Sequence, residues 1–340
     1  VRRADKERAV KALNEQELAA LFEALAADWD VRVPIRLHDG TRALGRPGEG
    51  PLALAGGALP RKITSVFFPQ MERVFTAGGG AIEAPAPGAK PLLVVGFTAQ
   101  DLDCLEFIDR FFGEHFRDHP YFARRQGAAT VGVSGRCGRD GAMLKIAAGK
   151  CDLELVCDGK RYIAAARSEA GAALAGRVAG GQEVAQAELD ALQALSDALP
   201  RDDEQLIAAA AALLQQNKVP DEFWQSVADR CIACTSCNLC CPTCTCFEVF
   251  DRSAGAARTD RWRMWDSCQL DGFMREASGH NPMGAEWMRT RRRIHHKLAA
   301  DPARWGQVTC FLCGRCDEVC PTGIGIKAVC REMLARYGGR

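Results

Sequence analysis

The 340-residue sequence is short of several things. It has three tyrosines, six histidines and no surplus of either charge, since 44 Lys and Arg face 43 Asp and Glu for a formal charge of +1. That balance argues against a nucleic-acid or acidic-membrane binder. The longest purely apolar run, Leu206 to Leu214, is nine residues, against the roughly 18 to 20 needed to span a bilayer. The opening residues VRRADKERAVKAL lack the apolar stretch of a secretory signal, so the expected location is the cytoplasm. The Gly- and Pro-rich stretches Gly45 to Pro51 and Gly78 to Pro91 contain neither G-x-G-x-x-G nor a P-loop, which leaves dinucleotide binding unsupported.

Cysteine is abundant and unevenly placed. Of 17, only Cys104, Cys137, Cys151 and Cys157 lie in residues 1–220; thirteen fall in residues 221–340. A long chain without a signal uses such density for metal more readily than for disulfides. CIACTSCNLCCP reads C-x2-C-x2-C-x3-C-P on Cys231, Cys234, Cys237, Cys241 and Pro242, and CFLCGRCDEVCP repeats it on Cys310, Cys313, Cys316, Cys320 and Pro321. Three thiolates so spaced wrap one face of an iron-sulfur cube. The fourth, ahead of a proline that redirects the chain, ligates the other cluster in two-cluster ferredoxins. Two 4Fe-4S clusters are therefore expected, one on Cys231, Cys234, Cys237 and Cys320, the other on Cys310, Cys313, Cys316 and Cys241. Zinc ribbons use paired C-x2-C instead. Eight thiolates fill both cubes, so no catalytic residue is expected.

The insert between the motifs reads as helical: Trp287, Arg291, Ile294 and Leu298 keep a 3.6-residue period. In this it resembles the α-helical ferredoxin domains of succinate dehydrogenase iron-sulfur subunits and heterodisulfide reductases rather than the βαββαβ fold. Cys244, Cys246 and Cys268 are candidates for a third cluster, with Cys240, Asp251 or His280 as a fourth ligand; the alternative is buried thiols used as small hydrophobes. Arg230, Arg315 and Lys327 flank the motifs and are candidates for tuning cluster potentials. The basic run Arg289, Arg291, Arg292, Arg293, His295, His296 and Lys297 lacks interleaved aromatics, and reads as a solvated face or as counter-charge to the clusters.

Residues 1–220 read as an α+β or α/β domain without a catalytic motif. Asn14 and Glu17 form a capping box ahead of the stripe Leu18, Leu21, Phe22 and Leu25. Val31, Val33, Ile35 and Leu37 alternate as a strand toward the turn Asp39-Gly40, and Leu92 to Val95 reads as a buried strand entering a helix near Asp101. Two strands flank Asp158-Gly159, and two Ala-rich helices lead to Pro220, the expected boundary with a mostly α-helical two-cluster ferredoxin domain over residues 221–340. His115 and His119 have no evident third ligand.

The segments around the cysteines carry a further signal. CIACTSCNLCCPTCTCFEVFD (Cys231 to Asp251), WDSCQ (Trp265 to Gln269), ASGHNP (Ala277 to Pro282), RRRIHHK (Arg291 to Lys297) and CFLCGRCDEVCPTGIGI (Cys310 to Ile326) resemble the beta subunit of cytoplasmic NAD(P)-linked nickel-iron hydrogenases, or sulfhydrogenases, and the electron-transfer subunit of anaerobic sulfite reductase. Lys62 to Phe75 and Gly96 to Phe112 are similar to the matching family stretches, although Gln100 stands where the family often has cysteine before Asp101-Leu102. The resemblance implies a relay subunit passing electrons between a flavin subunit using NAD(P)H and a terminal redox subunit, either a nickel-iron hydrogenase or a sirohaem sulfite reductase. The alternatives are an enzyme in its own right, using a site in the amino-terminal domain, and a redox-sensing iron-sulfur protein, for which no helix-turn-helix signal appears.

Overall fold

The computed structural model describes residues 10–86, 88–147 and 149–339. The part of the opening stretch in residues 1–9 therefore lies outside the described residues. Two compact units emerge, and they do not part at Pro220. The described parts of Val1–Ile63, Pro87–Glu106 and Arg117–Pro200 form the first; Thr64–Ala86, Phe107–Phe116 and Arg201–Arg340 form the second.

The first unit is built on an eight-stranded sheet. Its order is Gln182–Val184, Val10–Leu13, Tyr162–Ala166, Leu153–Cys157, Ala129–Gly135, Leu92–Phe97, Asp30–Arg36 and Arg42–Gly45. The middle four strands, Leu153–Cys157 through Asp30–Arg36, run parallel, and antiparallel strands close both sides. Parallel strands are covered on both faces and read as unbroken apolar runs; every residue of Ala129–Gly135 and of Leu153–Cys157 is buried. The capped helix Glu15–Leu25 sends Leu18, Leu21, Phe22 and Leu25 into one core with Val31, Val33, Leu93 and Val131. A second core holds Val156, Ile163, Leu189 and Leu192, the last two from the helix Gln186–Asp197. Gly96 must be glycine: φ is +106°, and an added Cβ would stand 2.5 Å from Pro34 Cγ. Leu37, by contrast, falls past the strand end and is exposed.

The second unit is helical around its cysteines, yet it also contains a sheet that the helical reading of the insert did not foresee. Phe247–Ser253 and Arg258–Trp265 form a hairpin that pairs antiparallel with Met71–Gly78, which in turn pairs with Ala81–Glu83. Charged residues interrupt these strands and much of their surface faces solvent, so apolar alternation is faint. The sheet's buried polar element is an ion pair, Arg263 Nη2 to Glu72 Oε1 at 2.6 Å, with the Phe68 and Phe247 rings 4.9 and 5.3 Å from the guanidinium. The helices Asp202–Gln215, Asp221–Ala228, Glu286–His295 and Ile326–Tyr337 share a core of Ile207, Leu214, Trp224, Ile294, Leu298 and Met333. A π-helical turn, His296–Ala300, continues Glu286–His295 into Asp301–Trp305.

Candidate metal centre

Both cysteine loops are shaped by the same backbone device. Ala233 and Thr235 have φ of 50° and 62°; Leu312 and Gly314, at the matching places in the second repeat, have 60° and 78°. Left-handed residues set between right-handed or extended ones turn successive N–H groups into one concavity, a form suited to anions. Only Gly314 adopts this conformation freely, and each of the others costs roughly 1–2 kcal/mol. Ser236–Leu239 and Arg315–Glu318 follow as short helical turns that carry Cys237 and Cys316 and lead to the fourth cysteines.

The two repeats meet at one cavity. Cys231, Cys234, Cys237 and Cys320 line one cavity together with Arg293 and Gln269. Cys241 lies instead in the electrostatic neighbourhood of Cys310 and Cys316. In each repeat the fourth cysteine is followed two residues later by a threonine: Cys241 Sγ is 3.4 Å from Thr243 Oγ1, and Cys320 Sγ is 3.5 Å from Thr322 Oγ1. Burial works against both thiolates. Lys297 and the Thr243 hydroxyl nevertheless hold Cys241 below the usual thiol range, and Thr322 with the Ile324 N–H does the same for Cys320. Burial instead raises Cys237 and lifts Cys310 to about 12.

The basic run divides by helix face. Arg289, Arg293 and Lys297, four residues apart, are buried, while Arg291 reaches Asp221 at 3.2 Å. Arg289 meets Asp271 at 3.2 Å. Arg293 donates to the Ile324 carbonyl and Lys297 to Thr243 Oγ1, both at 2.7 Å. Among the described residues neither forms an ion pair with a carboxylate. The groups that act on them are chiefly thiols: Cys237, Cys316, Cys231 and Cys320 for Arg293, and Cys241, Cys244 and Cys310, ahead of Asp301, for Lys297. Burying a cation without counter-charge is costly. Thiolate-bound iron-sulfur clusters are anions of the kind this stripe fits; in the sequence Arg293 and Lys297 stood only within the undivided basic run. Of the flanking residues, Arg315 is buried, whereas Arg230 pairs with Glu332 at 2.7 Å and Lys327 with Asp203 at 2.9 Å.

The remaining thiols sort differently. Cys246 contacts both Cys244 and Cys268; its hydrogen bond first, then Asn238 and Arg292, bring Cys268 down to about 7 against burial and against the Cys244 thiol. Cys240 is buried beside Cys241, Cys313 and Cys237. Asp251 gives both carboxylate oxygens to Arg261 at 2.8 Å, and His280 is exposed. Neither is offered to the thiols as the fourth ligand considered above. Among the described residues, no three His, Cys, Asp or Glu donors are set to grip a single ion, whereas a cube spreads its thiolates over different irons. Cys104, Cys137, Cys151 and Cys157 are buried, and His115 and His119 are exposed.

Residues 230–324 match the family described as a 4Fe-4S dicluster domain. The chain is 38% identical over 103 residues to sulfhydrogenase 2 subunit beta of Pyrococcus furiosus, a match covering 30% of each chain. It thus spans under a third of that curated relative. No solved structure matches. Among the described residues no helix is long and apolar enough to cross a membrane. Over residues 230–324 the chain thus matches a domain that holds two 4Fe-4S clusters, and it is similar there to a hydrogenase beta subunit.

Proposed function

We propose that the chain is the relay subunit of a multi-subunit oxidoreductase, passing single electrons between a flavin subunit that uses NAD(P)H and a terminal redox subunit such as a nickel-iron hydrogenase. One cluster takes Cys231, Cys234, Cys237 and Cys320, the other Cys310, Cys313, Cys316 and Cys241. The observation that carries this reading is the cavity shared by three cysteines of the first repeat with the fourth of the second. Exchanged ligands hold two centres close and rigid, and four thiolates apiece leave no iron open to substrate. The clusters supply one-electron redox chemistry. The chain's own residues tune it: Thr243 and Thr322 polarise the fourth thiolates, and Arg293 and Lys297 offset buried negative charge.

The relay reading expects cluster-replete protein to keep its colour with NAD(P)H alone and to bleach when a flavoprotein reductase is added. Direct oxidation of NAD(P)H by the isolated chain would overturn it. Cys234→Ala removes one cluster and cuts electron throughput in the assembled complex to background, while the first unit stays folded by circular dichroism. A sirohaem subunit co-purifying in place of a nickel-iron subunit would assign the same relay to sulfite reduction.

A further inference from the structure

We propose that Cys244, Cys246 and Cys268 bind a third iron-sulfur cluster through three protein thiolates. Two segments distant in sequence are tied together to make the site: the backbone N–H of Asp266 donates to the Cys246 carbonyl at 3.0 Å, and the Cys246 thiol hydrogen-bonds to the other two. Cys268 is 2% exposed. Above it Asn238, itself buried, spends its side-chain amide on Ser267 Oγ at 2.9 Å and on Cys268 Sγ at 3.2 Å. A thiol that merely fills space needs no amide donor, whereas donors aimed at sulfur orient metal-bound thiolates and stabilise their charge. Three thiols also cannot all pair as disulfides.

The surroundings favour an anion. Lys297 lies beside Cys244, and Arg292 beside Cys268. A lone zinc on the same thiols is the competing occupant, and the metal count separates the two. Cys240 belongs to the neighbourhood of Cys237, Cys241 and Cys313, so the site has three cysteines and no fourth. The cluster is either a cube whose last iron takes a ligand from solvent or a cuboidal three-iron form.

The test keeps this proposal apart from the relay, since none of the eight relay cysteines is altered in it. The test is iron and acid-labile sulfide per chain in anaerobically reconstituted full-length protein, with Mössbauer and EPR spectra, for wild type, Cys246→Ser and Cys268→Ser. About twelve irons for a cube, or about eleven for the three-iron form, falling to about eight in either variant with two EPR-active centres unchanged, is the expected result. About eight irons in the wild type would overturn the third cluster and leave the relay intact, and one zinc per chain in its place would overturn it equally. Should a variant fail to fold, the wild-type count alone decides.

Discussion

Lys297 is a buried ammonium whose foremost charged neighbours are thiols. Replacing it with methionine keeps the packing volume and deletes the charge. A unit charge about 4 Å away at an effective dielectric of about 20 is worth about 4 kcal/mol, and half that at twice the distance, so the effect on a one-electron couple is on the order of 100 mV. Lys297→Met is expected to make the cluster on Cys241, Cys310, Cys313 and Cys316 more reducing by that order, with the other moving less, read by EPR-monitored redox titration. Glu72 and Arg263 test charge burial in the sheet. Glu72→Ala takes a carboxylate away from the buried guanidinium and is expected to cost about 3–5 kcal/mol, whereas Glu72→Leu with Arg263→Met restores most of it. Thermal melting of the three variants checks this.

Among the elements, the cysteine loops are where sequence and backbone speak most directly to one another. Gly314 has open space around its missing side chain, so Gly314→Val carries a purely conformational penalty at φ +78°. It is expected to lose cluster occupancy, while Thr235→Gly, which relieves the equivalent strain, keeps it. Absorbance per chain separates the two. The cysteine spacing was legible because it is written in residue type and interval, and both repeats carry the same left-handed turns. The helix Glu286–His295 was legible too, but its buried cations were not, since a basic run hides which face is inside until the packing of Ile294 and Leu298 fixes the rotation. The hairpin Phe247–Ser253 and Arg258–Trp265 escaped detection for the opposite reason. Its pairing partner, Met71–Gly78, lies far upstream, and no local period announces a strand whose stability comes from a distant neighbour.

At the scale of the whole molecule, the second unit is assembled from three separated stretches of chain. A fragment of residues 221–340 therefore lacks both Met71–Gly78 and the helix Asp202–Gln215, with Ile207 and Leu214 missing from the core and Arg258–Trp265 left as an open edge. Such a fragment is expected to aggregate or retain less than half the iron of the full chain, measured by size-exclusion chromatography and iron assay. The first unit is likewise interrupted, since its strands Asp30–Arg36 and Leu92–Phe97 pair across the excursion that supplies Met71–Gly78. This braiding bears on recombination: a single crossover between residues 65 and 199 splits at least one of the two units between parents, so neither can be exchanged whole by one cut within that span.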